Sequence, residues 1–301
     1  MYHSITFRPA DDLLGGHRIG ISKTDLSGAA ISAYSGSNAI ENYYENYAPK
    51  NTFDDWHIVP QSRPVFNPPS LRKKSLEIPG VSSSIDLTEA LTGYPTYENR
   101  SGSFEFLVLN DYWSWVTAYQ TISAYLHGRR LIAILEDDPM YYYEGRFTVN
   151  SWKSEKNWSK IVIDYEVDPY KRSTVLSTDA DWLWDPFNFE TGEISASRYF
   201  GLRVNVSART DTFQMGSYGS EPVCPTFVAD LQANQKMAIK VKNPSLGIDE
   251  TKTIQNTSSS AATIRVQYPE IVFWGYSLIT VISYVDAGTA SLSIEFREGR
   301  F

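Results

Sequence analysis

The sequence is poor in the residues from which most active sites are built. It has one cysteine, Cys224, which excludes an intrachain disulfide framework and any cysteine-rich metal site. Its four histidines, His3, His17, His57 and His127, lie far apart and form neither an HExxH nor an HxH pair, so the spacing provides no zinc site. No G-x-S-x-G elbow is present for a serine hydrolase. Basic residues are also in deficit. The 27 Lys and Arg against 35 Asp and Glu leave a net charge of −8, the wrong sign for a surface that grips nucleic acid. Long apolar runs are missing too. The uncharged, apolar-leaning run Ile271 to Val285 is 15 residues broken by Gly, Ser and Thr. That is short of the ~20 needed to cross a bilayer as a helix, and its β-branched content predicts a buried strand. The opening MYHSITFRPADD has no basic stretch followed by an apolar core, so no secretory signal is expected. The expected protein is soluble, made in a reducing compartment and not membrane-anchored.

What is present points to β-structure. Hydrophobic residues make up 42% and charged residues 21%, enough apolar material for a core. Aromatic residues reach 14%, and such side chains pack well on pleated sheets. A chain of 301 residues, at roughly 150 per domain, predicts about two domains.

Along the chain, MYHSITF alternates as a strand. From about Arg8 to Lys50, Gly, Ser, Ala, Asn and Tyr dominate, and this stretch reads as an inserted loop or small lobe. Its GGHRIG segment has Ile21-Ser22 where a phosphate loop needs Lys-Ser/Thr, so a flexible loop is the better account. His57 to Val59, Leu76 to Ile78, Ser103 to Leu109, Leu131 to Leu135, Tyr141 to Val149 and Lys160 to Val167 read as strands, the last three as a meander turning at Asp137-Asp138-Pro139 and at Ser154–Asn157. One helix is predicted. Asp111 caps it, Trp115, Tyr119, Ile122 and Leu126 share a face, and Gly128 ends it. The segment 173–195 reads as a packed connection anchored by Trp182, Trp184, Phe187 and Phe189. Beyond Ser195, short strands are expected at Tyr199–Val206, Thr226–Ala229, Met237–Val241, Ala262–Val266, Ile271–Trp274, Ile279–Tyr284 and Ala290–Phe296, the pattern of an antiparallel sandwich.

Candidates for chemistry give way to structural readings. Glu136-Asp137-Asp138 is the densest acidic cluster, but three consecutive carboxylates point apart and Pro139 marks a turn. It lacks both the facing geometry of a glycosidase pair and the spaced oxygens of a calcium loop. Cys224, between Val223 and Pro225, reads as a small buried residue. The Trp and Tyr residues suit core packing, with sugar stacking as the functional alternative.

Between Asn51 and Arg172 the sequence resembles a known family. NTFDDWHIVPQSRPVFNPP, LEIPG, IDLTEALTGYPTYENRSGSFEF, the helix ending YLHG, ILEDDPMYYYEGRFTV and IDYEVDPYK are similar, in order and spacing, to the distal tail proteins of long-tailed siphophages. MYHSITF resembles that family's first strand, and GTASLSIEFREGRF its closing strand and basic-aromatic end. The departure is the stretch 8–50, which the family usually passes quickly. The resemblance implies a mainly β protein: an N-terminal ring-forming β-sandwich at 1–172 with one α-helix and an extended β-hairpin, and a galectin-like or carbohydrate-module-like β-sandwich at 173–301. It implies a non-enzymatic virion component of the tail tip or baseplate, synthesised in the bacterial cytoplasm, without cofactor or metal. Six copies would close a ring, single or stacked. The ring would join the tail tube and tape measure proteins to a tail-associated lysin or fibre-like protein and to receptor-binding components, with DNA passing through the lumen and no membrane contact. Trp56, Arg63, Pro64, Arg100, Arg146 and Tyr170 fall in the recognisable stretches and are candidates for fold or ring contacts, core packing being the simpler role for Trp56 and Tyr170. The hairpin Leu131–Val149 is expected to offer a free edge to a neighbour. Two alternatives stand beside this reading: a carbohydrate-binding module for host adhesion, which needs an exposed aromatic platform in the C-terminal domain, and a glycosidase, which needs two facing carboxylates roughly 5–10 Å apart.

Overall fold

A computed structural model of the chain describes residues 2–10, 48–80, 82–109, 115–127, 129–155, 158–176, 187–188, 193–194, 204–207, 210–216, 219–274, 278–285 and 289–301. The protein is mainly β, with one helix among the described residues. Its contacts divide it into two compact units, Met1–Thr88 with Pro95–Thr174, and Glu89–Tyr94 with Val175–Phe301.

In the first unit the elements run β1 (Ile5–Pro9), β2 (Lys50–Asn51), β3 (Ile58–Pro60), β4 (Ser75–Leu76), β5 (Ile85–Asp86), β6 (Arg100–Val108), α1 (Trp115–Leu126), β7 (Arg130–Leu135), β8 (Asp138–Glu155), β9 (Trp158–Val167) and β10 (Lys171–Ser173). Seven strands form one antiparallel path, β2-β1-β7-β8-β9-β6-β3, and β10 pairs with β8. Strict alternation sets the faces. Ile161, Ile163, Tyr165 and Val167 of β9 are buried. They join Phe7, Phe104, Phe106, Ala133, Phe147 and Val149 in one core, which Ala118, Ile122, Tyr125 and Leu126 of α1 cover. Trp115 and Tyr119, predicted on the same helix face, lie at the margin of that core: Tyr119 is partly buried against it and Trp115 is exposed. Asp111 and Gly128 lie outside the described residues.

The two ends of the strand path, β2 and β3, are consecutive in the chain, and the turn between them joins the edges of the curled sheet. Thr52 N donates to Ile5 O at 3.0 Å, Ile58 N to Thr52 O at 2.9 Å, and Leu109 N to His57 O at 3.0 Å. Asn51 organises this turn. Its Oδ1 accepts from Phe53 N (2.8 Å) and Asp54 N (3.1 Å), while its own N–H donates to Asp55 Oδ2 at 2.7 Å. His57 takes φ +51°, a left-handed conformation that non-glycine residues adopt only where the surroundings impose it. Between them, Trp56 is 1% exposed, stacks on Phe7 and meets Tyr125 edge-on, filling the closed end of the core.

Three expectations change. The β7–β8 turn is Glu136–Asp137, and Pro139 sits inside β8. It is tolerated there because the ladder to β7 shifts register between Ala133 and Leu135, so no regular bond needs its missing N–H. The hairpin Leu131–Val149 has no free edge: β1 occupies the outer side of β7, and β9 with β10 occupies that of β8. Of 76–78, only Leu76 is strand, as the second residue of β4. The stretch 11–47 lies outside the described residues, but its flanks are placed. Phe7 pairs with Lys50 and Thr6 with Asn51, so the chain leaves and returns at adjacent points.

The second unit contains a short ladder of β11 (Phe187–Asn188) and β12 (Glu193–Ile194), followed by β13 (Val204–Ser207), β14 (Thr210–Gly216), β15 (Thr226–Leu231), β16 (Lys236–Asn243), β17 (Ile248–Gln255), β18 (Ala262–Gln267), β19 (Leu278–Val285), β20 (Thr289–Glu295) and β21 (Gly299–Arg300). Two four-stranded antiparallel sheets, β13-β20-β15-β18 and β14-β19-β16-β17, share one core. Phe227, Leu231 and Ile294 meet Met237, Ile239, Val241 and Ile254 there, as in a sandwich. The sequence reading omitted β14 and β17, the latter an edge strand (IDETKTIQ) that keeps a polar face, Asp249, Thr251, Thr253 and Gln255, in water. Ile271 and Phe273 are buried as expected, yet Phe273 makes only an isolated bridge to Val223. Trp182, Trp184 and Phe189 lie outside the described residues.

Candidate functional site

The proline-bracketed segment after β3 forms a strap pinned at successive points. Gln61 N donates to Glu105 O at 2.8 Å. Arg63 Nε donates to Asp137 Oδ2 at 2.7 Å, tying the strap to the β7–β8 turn. Pro64 is buried, and Phe66, 4% exposed, enters the core between Tyr143 (3.9 Å, stacked), Phe104 and Tyr165. Asn67 N donates to Tyr165 Oη at 2.9 Å, and Asn67 Nδ2 to Ser101 O at 2.8 Å. Gly102 makes this fit possible, because a Cβ there would stand 2.6 Å from Asn67 Nδ2.

Arg100, the first residue of β6, locks the strap to the end of the sheet. It is 4% exposed, with Nε donating to Pro169 O at 2.7 Å and Nη1 to Asn67 O at 3.3 Å. Its guanidinium lies 5.3 Å from the centre of the Tyr143 ring, and Nη2 has no hydrogen-bond partner among the described residues. Burial lowers its pKa, opposed by Tyr143 and Tyr165. Tyr170, 7% exposed, packs edge-on against Tyr97. Arg63, Pro64, Arg100 and Tyr170 thus gather around the strap and its anchorage. Trp56 fills the seam of the sheet. Arg146 stands apart, exposed on the outer face, in register with Arg130 and Glu166.

Beyond the strap the chain makes an arm. Leu71 bridges to Tyr97, Arg72 N donates to Thr96 O, Glu98 N to Ser70 O, and Arg72 pairs with Glu98. Further out, β4 pairs with β5, placing Leu76 opposite Ile85. Leu76, Ile78, Ile85 and Leu87 are 40–51% exposed, so the arm carries aliphatic side chains into solvent instead of a core. Sequence reasoning read Leu76 to Ile78 only as a strand and did not single out Ile85, Leu87 or Phe66. The available signals were a phenylalanine set between prolines in RPVFNPP, and apolar residues in a stretch too broken by Pro, Gly and Ser to build a long strand.

The acidic cluster is a turn whose members have separate structural partners. Glu136 Oε2 accepts from Ser4 N (2.9 Å), Asp137 from His3 Nδ1 (2.9 Å) and Arg63, and Asp138 from Lys171 Nζ (2.6 Å). The Ser4 N–H holds the Glu136 carboxyl below its usual range. For Asp137 burial acts upward, but the bonds from His3 and Arg63 outweigh it and the pKa is lowered. Arg130 joins Glu144 (2.6 Å) and Asp168 (2.6 Å), and Arg172 reaches both at 3.3 Å, tying β7, β8 and β10 together. Burial raises the pKa of Cys224, whose Sγ donates to Tyr268 O at 3.3 Å, an environment that holds the thiol unreactive. Among the described residues no group of His, Cys, Asp and Glu could hold a metal ion. No described helix is long and apolar enough to cross a membrane. In the second unit Tyr94, Tyr268 and Trp274 are half-buried and Phe227, Phe273 and Phe296 buried, so among its described aromatic rings only Phe301 is exposed. The described residues therefore contribute no aromatic platform for sugar stacking there.

No known protein family and no curated protein matches the sequence. Among solved structures, the crystal structure of the SPP1 Dit (gp 19.1) protein, described as a paradigm of hub adsorption apparatus in Gram-positive infecting phages, is similar with a TM-score of 0.45 and 11% identity, over 80% of this chain and 93% of that one. A structure of infectious bursal disease virus, Gx strain, is similar with a TM-score of 0.25 and 11% identity, over 77% of this chain and 56% of that one. Likenesses this slight carry no argument about function.

Proposed function

We propose that the chain is a structural component of a phage tail tip, whose first unit closes into a six-membered ring with a central channel. The observation that carries this reading is the arm: Leu76, Ile78, Ile85 and Leu87 expose aliphatic surface on an element with a well-bonded base. Contiguous exposed apolar surface marks an interface, and a ring requires head-to-tail contacts whose rotation closes. The sequence supports the same reading. The stretches that resemble distal tail proteins build the seam turn and strap (NTFDDWHIVPQSRPVFNPP), the arm and β6, the β7–β8 hairpin and the β9–β10 connection. In this reading the ring joins tail tube and tape measure proteins to a lysin or fibre-like protein and to receptor-binding components. DNA passes through it, and the second unit is a non-enzymatic module. The test is the mass of the purified chain by light scattering, with negative-stain imaging at high concentration and in the presence of tail tube protein. Six-fold rings with a central hole are expected. A chain that stays monomeric in both conditions rejects ring formation.

A further inference from the structure

Two apolar patches of the first unit are left exposed by the described residues. One is the arm face, where Leu76 and Ile85 are register partners, Leu87 lies two residues beyond Ile85, and Lys74 lies two residues before Leu76. The other is at the far end of the β8–β9 hairpin. There Trp115, at the start of the described helix, stacks on Trp152 with ring centres 4.0 Å apart and planes within 20°. Trp115, Val116 and Trp152 are 36–38% exposed. Register places the patches at different levels of the sheet. The arm returns to the sheet at Arg100, whereas Trp152 pairs with Ile161, which pairs with Phe106. Those six steps along β6 separate the levels by about 20 Å.

We propose that the aliphatic face of the arm in one copy seats on the Trp115–Trp152 pair of the next copy, a contact that rests on the ring reading above. Two different patches at well-separated levels of one unit suit a head-to-tail contact, which is made once per copy and repeats around a ring; a two-fold contact would bring both patches into one interface and make the same pairing twice. The chemistry is complementary. Flat indole faces accept branched aliphatic side chains and attract the Lys74 ammonium carried beside them, and aromatic anchors of this kind concentrate the binding energy of interfaces.

Disulfide trapping in the full-length chain tests the contact. In a Cys224→Ser background, an L76C chain is mixed with a V116C chain under mild oxidation, beside a control mixture of L76C with S103C, whose cysteine lies on the exposed outer face of β6. The expected result is at least about tenfold more covalent dimer from L76C with V116C than from the control or from either chain alone, because a specific contact raises the local thiol concentration. Equal yields overturn the proposal, even where imaging shows rings. Selective cross-linking in a preparation that never forms a closed ring supports the contact and rejects the ring, so the two ideas fail separately. Retention of native near-ultraviolet circular dichroism by both cysteine chains shows that the comparison is between folded proteins.

Discussion

Gly145 shows how tightly the first unit is set. It lies in β8 opposite Val167, and a Cβ there would stand 2.2 Å from Glu166 O and 2.4 Å from Val167 Cα. Both obstacles are backbone, so no side-chain rotation relieves the clash. Gly145→Ala is expected to cost about 1–3 kcal/mol, the range for overpacking a rigid site. The urea midpoint reads this directly, and an unchanged midpoint would show that β8 and β9 separate more easily than their ladder implies. The motif residues divide in a similar way at this scale. Arg100 and Arg63 were singled out only by the stretches they fall in, and the sequence did not name their partners. Arg63 finds Asp137, 74 positions away, and Arg100 finds two carbonyls in place of a carboxylate. Nothing local in the sequence encodes such distant pairings.

The strap is the element on which the first unit's closure depends. Phe66 enters from outside the sheet and contacts rings on β6, β8 and β9. Phe66→Ala removes this plug and leaves a cavity among large rings that cannot collapse, at an expected cost of about 3–5 kcal/mol. Hydrogen exchange at Gln61 and Asn67 should accelerate more than exchange in β16, and uniform acceleration in both units would refute a local role for the strap. The β7–β8 turn is the other fastening, and it is sensitive to acid. The pKa values of Glu136 and Asp137 are both depressed in the folded protein. Their stabilisation is therefore complete above the ordinary carboxylate range and is lost as pH falls through the lower folded values. In a urea series from about pH 7 to pH 3, Asp137→Asn should flatten the acid limb of the stability profile. A profile parallel to that of the unsubstituted chain would show that His3 and Arg63 do not depend on the carboxylate charge.

For the whole molecule, the inserted stretch is the open variable. Because Phe7 pairs with Lys50, deletion of residues 10–48 leaves the last two residues of β1, Arg8 and Pro9, and Pro49 between those partners, a length common in hairpins. The shortened chain is expected to fold, and on the ring reading loss of assembly would assign the stretch a role in it. Unchanged assembly by light scattering would make the insertion a passive decoration.

The sequence by itself determined the mainly β class, the single helix among the described elements and the approximate positions of β6 to β9, because alternating and helical periodicities are local and the residues that carry them are strongly apolar. It also determined that a turn falls at this acidic cluster, although it placed the turn at Asp137–Pro139 and the structure places it at Glu136–Asp137. Tertiary structure alone decided that Asn51–His57 seals the sheet, that Phe66 crosses into the core and that the arm's aliphatic residues remain in water. Each of these outcomes depends on what lies opposite, across tens of residues of sequence, and an apolar side chain reads the same whether its partner is a core or another molecule.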